Sequence, residues 1–97
     1  MIVVIFSAEI AELDNEYHAT ASHLRDLAMQ RYGCVDFVSF TEGTRELAIS
    51  YWPSEAHIKK WRRDPEHIKA QELGKSKWYS SFKVEIAHIR SQYGNVD

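Results

Sequence analysis

The segment Arg45-Glu-Leu-Ala-Ile-Ser-Tyr-Trp52 sets the strongest constraint on the fold. Its β-branched and aromatic residues predict a strand, in which successive side chains point to opposite faces. Leu47, Ile49 and Tyr51 then share one face, and Ala48, Ser50 and Trp52 the other. Bulky groups on both faces mean that both faces are covered. Residues 2–8, rich in Ile, Val and Phe on both faces, read as a central strand under the same condition. A chain of 97 residues makes one domain, 1–97, with a single layer of helices. That layer covers one face of a sheet. A second copy of the chain is the simplest cover for the other, so a homodimer is expected. A domain this small has a thin core and gains from such a partner.

The remaining elements follow from caps, turns and periodicity. Asp14 or Asn15 can cap a helix, because a short side-chain oxygen accepts the free backbone N–H groups there. From Tyr17 onward, Tyr17, Ala21, Leu24, Leu27, Ala28 and Tyr32 fall on one stripe, while His18, Arg25, Asp26 and Gln30 mostly face away. Gly33 is placed to end that helix. Residues 34–41 form a second strand, and Glu42-Gly43-Thr44 turns it into the strand 45–52. Ser54 can cap a short helix from Glu55 to about Arg63. Asp64-Pro65 restarts a helix that runs to about Lys75, with Gly74 weakening its end. Residues 79–90 make the last strand, with Phe82, Val84, Ile86 and His88 on one face. The tail 91–97 is expected to be loose or to reach a partner. The order is β-α-β-β-(αα)-β: an α+β chain with a ferredoxin-like antiparallel sheet and a second helix broken at Asp64-Pro65.

Composition excludes several classes of function. A net charge of −2 gives no basic surplus for nucleic acid. No apolar run approaches the ~20 residues that cross a bilayer, and the apolar start has neither a basic flank nor a cleavage site. The lone cysteine, Cys34, cannot form an internal disulfide, which suits a reducing, cytoplasmic setting and a structural role. His18, His23, His57 and His88 show no ligand spacing with a carboxylate, so no metal is expected.

His67, Gln71, Gly74 and Trp78 recur at helical spacing and share a face, and Trp61 precedes them. If that face looks into a cavity, it offers a base, an amide and two indoles to a small, flat, hydrophobic or aromatic ligand. The plainer alternative is that both tryptophans are core and that His67 serves its helix start. His67 has the intrinsic pKa of a general base. Tyr17, Tyr51 or Tyr79 can orient a phenol, and Ser7 or Ser50 can donate to an oxyanion. Lys59, Lys60, Arg62 and Arg63 flank Trp61. They read either as a solvated helix face or as a grip on a carboxylate or propionate at a pocket mouth.

The stretch Ile49-Ser-Tyr-Trp-Pro-Ser-Glu-Ala-His-Ile-Lys-Lys-Trp61 is followed by Asp64-Pro-Glu-His-Ile-Lys-Ala-Gln71, by Gly74-Lys, and by Tyr79-Ser-Ser-Phe-Lys-Val-Glu-Ile-Ala87. Together they resemble the antibiotic biosynthesis monooxygenase (ABM) domain family. The resemblance implies a dimeric α+β barrel, in which two sheets pack face to face. It implies two enzyme chemistries. One is a monooxygenase without metal or flavin, which deprotonates a small aromatic or quinone-like compound so that the carbanion reduces O₂ directly. The other is haem degradation. Trp61 matches a position used in both. Haem degraders carry a histidine ligand ten residues later, where this chain has Gln71, and an asparagine near the end of the first strand, where it has Phe6, Ser7 and Ala8. Both departures argue against haem. The favoured reading therefore has no cofactor, with His67 and Trp61 catalytic and Gln71, Trp78, Ser7, Tyr51 and Tyr79 contacting substrate. A haem enzyme and a non-enzymatic dimeric binding protein are the rivals.

Overall fold

The computed structural model describes residues 1–95, so the last two residues of the expected tail lie outside it. The elements are β1 (Ile2–Ile10), α1 (Asn15–Gln30), β2 (Asp36–Glu42), β3 (Arg45–Trp52), α2 (Glu55–Arg62), α3 (Pro65–Leu73), a π-helical turn (Gly74–Trp78) and β4 (Tyr79–His88). The strands form one sheet in the order β2-β3-β1-β4, with every neighbouring pair antiparallel. β1 is central, as its two-sided apolar pattern predicts.

Local chemistry sets the boundaries. Asp14 caps α1 by accepting a hydrogen bond from the Tyr17 N–H at 2.8 Å. Gly33 follows α1 at φ 79°, and a Cβ there would sit 2.9 Å from a ring carbon of His57. Both the backbone reversal and the close approach exclude a side chain. Gly43 turns β2 into β3 at φ 59°. β1 runs two residues further than its apolar run suggests. A register shift at Glu9–Ile10 lets the chain continue pairing, and Ala11 N–H then bonds the Trp78 carbonyl at 2.8 Å.

All helices lie on one side of the sheet. The core joins Ile2, Val4 and Trp52 from that face to Ala28, Cys34, Ile58 and Trp61. Strand alternation assigns Val3, Ile5, Ser7, Leu47, Ile49 and Tyr51 to the other face, and none of these is fully buried. Val38 and Phe40 extend that face on β2, where Phe40 is 63% exposed.

The break between α2 and α3 is held by Asp64. Its carboxylate accepts from the Glu66 N–H at 2.8 Å, which caps α3, and from the Tyr32 hydroxyl at 2.6 Å. One buried acid thus joins the end of α1 to the start of α3. The Tyr32 hydrogen bond holds the Asp64 carboxyl below its ordinary pKa. After Leu73 the backbone widens into the π turn. Gly74 is buried there, and a Cβ would meet the Tyr79 ring at 3.1 Å. The glycine that reads as a weak helix end serves instead to let this ring lie close.

Two stability predictions follow from this core. Ile58→Ala, at a site 2% exposed, should lower the unfolding free energy by about 2–5 kcal/mol in urea titration. Asp64 has a depressed folded pKa, so its contribution is present above the unfolded value and is lost as pH falls below it. Asp64→Asn should therefore destabilise the protein at pH 7 and flatten the loss of stability below about pH 4.

Candidate active site

Between the sheet and the helix layer lies a largely apolar cavity of about 320 Å³. Its floor is Val4, Phe6, Ala48 and Ser50, and β4 adds Phe82, Val84 and Ile86. These three β4 residues stay 40 to 43% exposed, so the cavity opens toward the β4 edge. α1 contributes Tyr17, Leu24 and Arg25. The broken helix contributes Trp61, Arg62, His67 and Gln71, and the π turn brings Gly74 and Trp78 beside Tyr79.

The aromatic walls interlock. Trp61 packs on Trp52 at 5.0 Å between ring centroids and meets Phe37 edge-on at 6.1 Å. The His67 ring stands edge-on to Trp61 at 4.3 Å. Across the cavity, Tyr17 meets Trp78 edge-on at 5.1 Å, and Tyr79 donates to the Tyr17 hydroxyl at 3.3 Å. Trp61 and Trp78 are 7% and 3% exposed, so each is both a core residue and part of the wall. The core and pocket readings of these residues are compatible.

Three buried nitrogens, Trp61 Nε1, His67 Nδ1 and Trp78 Nε1, have no hydrogen-bond partner among the described residues. A buried polar atom left unpaired costs about 1–3 kcal/mol. All three belong to residues of the cavity lining. Lys77, and after it the Tyr17 N–H, hold the Asp14 carboxyl below its ordinary pKa, and the nearby Trp78 N–H adds a smaller part without making a hydrogen bond of ordinary geometry. Burial, and then the charge of Arg62, push the His67 pKa down to about 4. The ring is therefore neutral at pH 7. Burial raises the pKa values of Tyr17 and Tyr79, and both phenols remain protonated.

Of the residues singled out from the sequence, His67, Trp61, Gln71, Trp78 and Tyr79 converge on this cavity, together with Tyr17 and Ser50. Ser7 and Tyr51 do not. Ser7 pairs with Leu47 and Lys83, and Tyr51 with Val3 and Asp36, which puts both on the uncovered face. Strand parity alone separates them from the cavity. Sequence reasoning missed two lining residues. Glu46 is 9% exposed, and the Thr41 hydroxyl donates to its carboxylate. Its parity with Ala48 and Ser50 points inward. Arg25 was assigned to the outer side of α1, but α1 sits at the cavity's rim, so its flank reaches the opening.

No family model matches the chain. The uncharacterized protein YqjZ of Bacillus subtilis (strain 168) is 38% identical over 90 residues, covering 92% of this chain and 79% of that protein. A mutant of SnoaB, a cofactor-independent oxygenase from Streptomyces nogalater, superposes with TM-score 0.78 at 11% identity over 94% of each chain. A solved antibiotic biosynthesis monooxygenase gives TM-score 0.74 at 16% identity, over 92% of this chain and 98% of its own. This chain belongs to the family of YqjZ and has the antibiotic biosynthesis monooxygenase fold. The ABM resemblance read from Ile49 to Ala87 thus agrees with the architecture.

Among the described residues, no group of three or more His, Cys, Asp or Glu is placed to hold a metal ion, and no helix is long and apolar enough to cross a membrane. Haem suits the ABM cavity of this chain poorly. Gln71, which lines it, is a weak donor to iron, and its single lining imidazole packs edge-on against Trp61.

The depressed His67 pKa has a thermodynamic consequence. Between the ordinary value of 6.5 and about 4, the unfolded chain binds the proton that the folded chain refuses, so stability falls as pH falls through that window. An NMR titration should find the His67 ring neutral down to about pH 5. His67→Gln should remove that part of the pH dependence in thermal denaturation.

Proposed function

We propose that this protein is a cofactor-independent monooxygenase acting on a small aromatic compound with an acidic C–H. The observation that carries this reading is the neutral imidazole of His67, edge-on to Trp61 with 4.3 Å between ring centroids, in the lining of an apolar cavity. The fold shared with SnoaB, a cofactor-independent oxygenase, supports it.

The chemistry asks for a base, a carbanion binder and a dry chamber. His67 accepts the proton, being neutral and unprotonated at pH 7. Negative charge arising on the substrate stabilises the new imidazolium and offsets Arg62, so the ring is a better base with substrate than in the empty cavity. The indole N–H of Trp61, next to His67, donates to the substrate oxygen on which the charge accumulates. The carbanion passes electrons to O₂ and forms a C–O bond as a hydroperoxide. Loss of water then leaves a carbonyl. A CH₂ and one O₂ become C=O and one H₂O, with no other reductant.

The same reading includes a second copy of the chain. The face away from the helices carries Val3, Ile5, Val38, Leu47, Ile49 and Tyr51, all partly exposed. Pairing two such faces buries apolar surface that a lone subunit leaves in water. Light scattering should give twice the chain mass at micromolar concentration, and Ile49→Asp should give a monomer.

Oxygen uptake tests the chemistry directly. With a panel of polyphenols and aromatic C–H acids, consumption should be matched by a product that gains one oxygen and loses two hydrogens. His67→Ala should slow the rate about 10²-fold or more, within the range for a lost general base. Glu46→Gln separates the two bases on the cavity wall: a loss there with full activity in His67→Ala would transfer the role to Glu46. No turnover across the panel would remove the oxygenase reading.

A further inference from the structure

A second depression adjoins the cavity, lined by Lys59, Arg62, Arg63 and Gln71. Arg62 and Gln71 belong to both, so an apolar chamber and a cationic vestibule meet at these two residues. The spacing of Lys59, Arg62 and Arg63 brings them to one side of the end of α2. A solvated helix face needs no concavity, and this one shares Arg62 and Gln71 with the chamber.

The cations of the vestibule are uncommitted. The chain carries more acids than bases, 14 against 12, yet none of the ion pairs among the described residues includes Lys59, Arg62 or Arg63. The acids that follow α2 are engaged elsewhere, Asp64 by Tyr32 at 2.6 Å and Glu66 by His23 at 2.5 Å, and Glu55, one turn before Lys59, is in none of the ion pairs among the described residues. Arg25 adds a further guanidinium at the cavity lining. Arg62 already acts on the site electrostatically, since its charge helps keep His67 neutral.

We propose that the ligand of this cavity is an aromatic carboxylate, with its rings in the chamber and its carboxylate held in the vestibule by Lys59, Arg62 and Arg63. Gln71 stands at the threshold, where its amide can donate to the same group. Guanidinium and carboxylate match in shape and charge, which gives orientation as well as affinity. The carboxylate pins one end of the molecule, so only the far end of the rings reaches His67 and Trp61. Binding also sets an opposite charge beside Arg62, which relieves one cause of the low basicity of His67. This inference rests on the cavity being the ligand site, but it needs no turnover.

Binding of an unreactive pair tests it: 2-naphthoate against 2-naphthamide, by calorimetry at low salt. The acid should bind at least about tenfold more tightly, as a charge-assisted hydrogen bond implies. Raising the salt should shrink the difference. Arg62→Gln and the double variant Lys59→Gln/Arg63→Gln should bring the acid down to the amide and leave the amide unchanged. NMR should show the His67 pKa rising when naphthoate binds. Equal binding of acid and amide would overturn the proposal while leaving an aromatic cavity in place. A preference that survives in both variants would overturn the assignment to the vestibule, and binding of neither compound would overturn it outright. A preference for naphthoate without any oxygen consumption would sustain this inference and defeat the oxygenase reading, so the two can fail separately.

Discussion

The buried carboxylate of Asp64 is the constraint on which the site depends. It caps α3 through the Glu66 N–H and takes the Tyr32 hydroxyl, so one side chain fixes the turn between α2 and α3 and ties it to the end of α1. Pro65 makes the break obligatory, because its ring cannot follow another helical residue without losing a hydrogen bond. An unbroken helix would carry His67 away from Trp61. With the break held, the His67 ring comes edge-on to the indole and its Nδ1 is turned from water. The same clamp places Arg62 on the last turn before the break, beside both chamber and vestibule.

Packing and electrostatics then act in sequence. Trp52, Ile58 and Trp61 make the dry end of the structure, and burial there lowers the His67 pKa before any charge is counted. Tyr17 and Tyr79 close the far end as a protonated pair. Between them the helix layer stops short of β4, which leaves Phe82, Val84 and Ile86 half-exposed and gives the cavity its entrance. A site whose polar atoms are few, buried and unpaired differs from a filled core, where such atoms find partners within the chain.

Much of this was legible in the chain. Asp14, Ser54 and Asp64 announced helix starts, because capping is a local interaction between a short side chain and the next turn. The helical spacing of His67, Gln71 and Trp78 announced a shared face, and all three line the cavity. The π turn went unannounced: it coincides with the close approach of the Tyr79 ring to Gly74, a contact with no sequence signature. Ser7 and Tyr51 were misplaced because residue type suggested a role, while strand parity, counted from the registered partners Val4 and Ser50, sends both to the uncovered face. Arg25 shows a different limit: its position off the apolar stripe of α1 placed it outward, yet it reaches the cavity lining.

The amino-acid order by itself determined the elements, their sequence and the two-sided demand of the sheet, since periodicity and caps operate over a few residues. It also determined which residues were available to a site. Tertiary structure decided which of them meet. It brought Glu46 and Arg25 into the lining, left three ring nitrogens without partners, and joined Arg62 to both the chamber and the vestibule. Those outcomes depend on strand register and on where the helix layer ends. Both are settled by contacts between residues far apart in the chain, which no local pattern encodes.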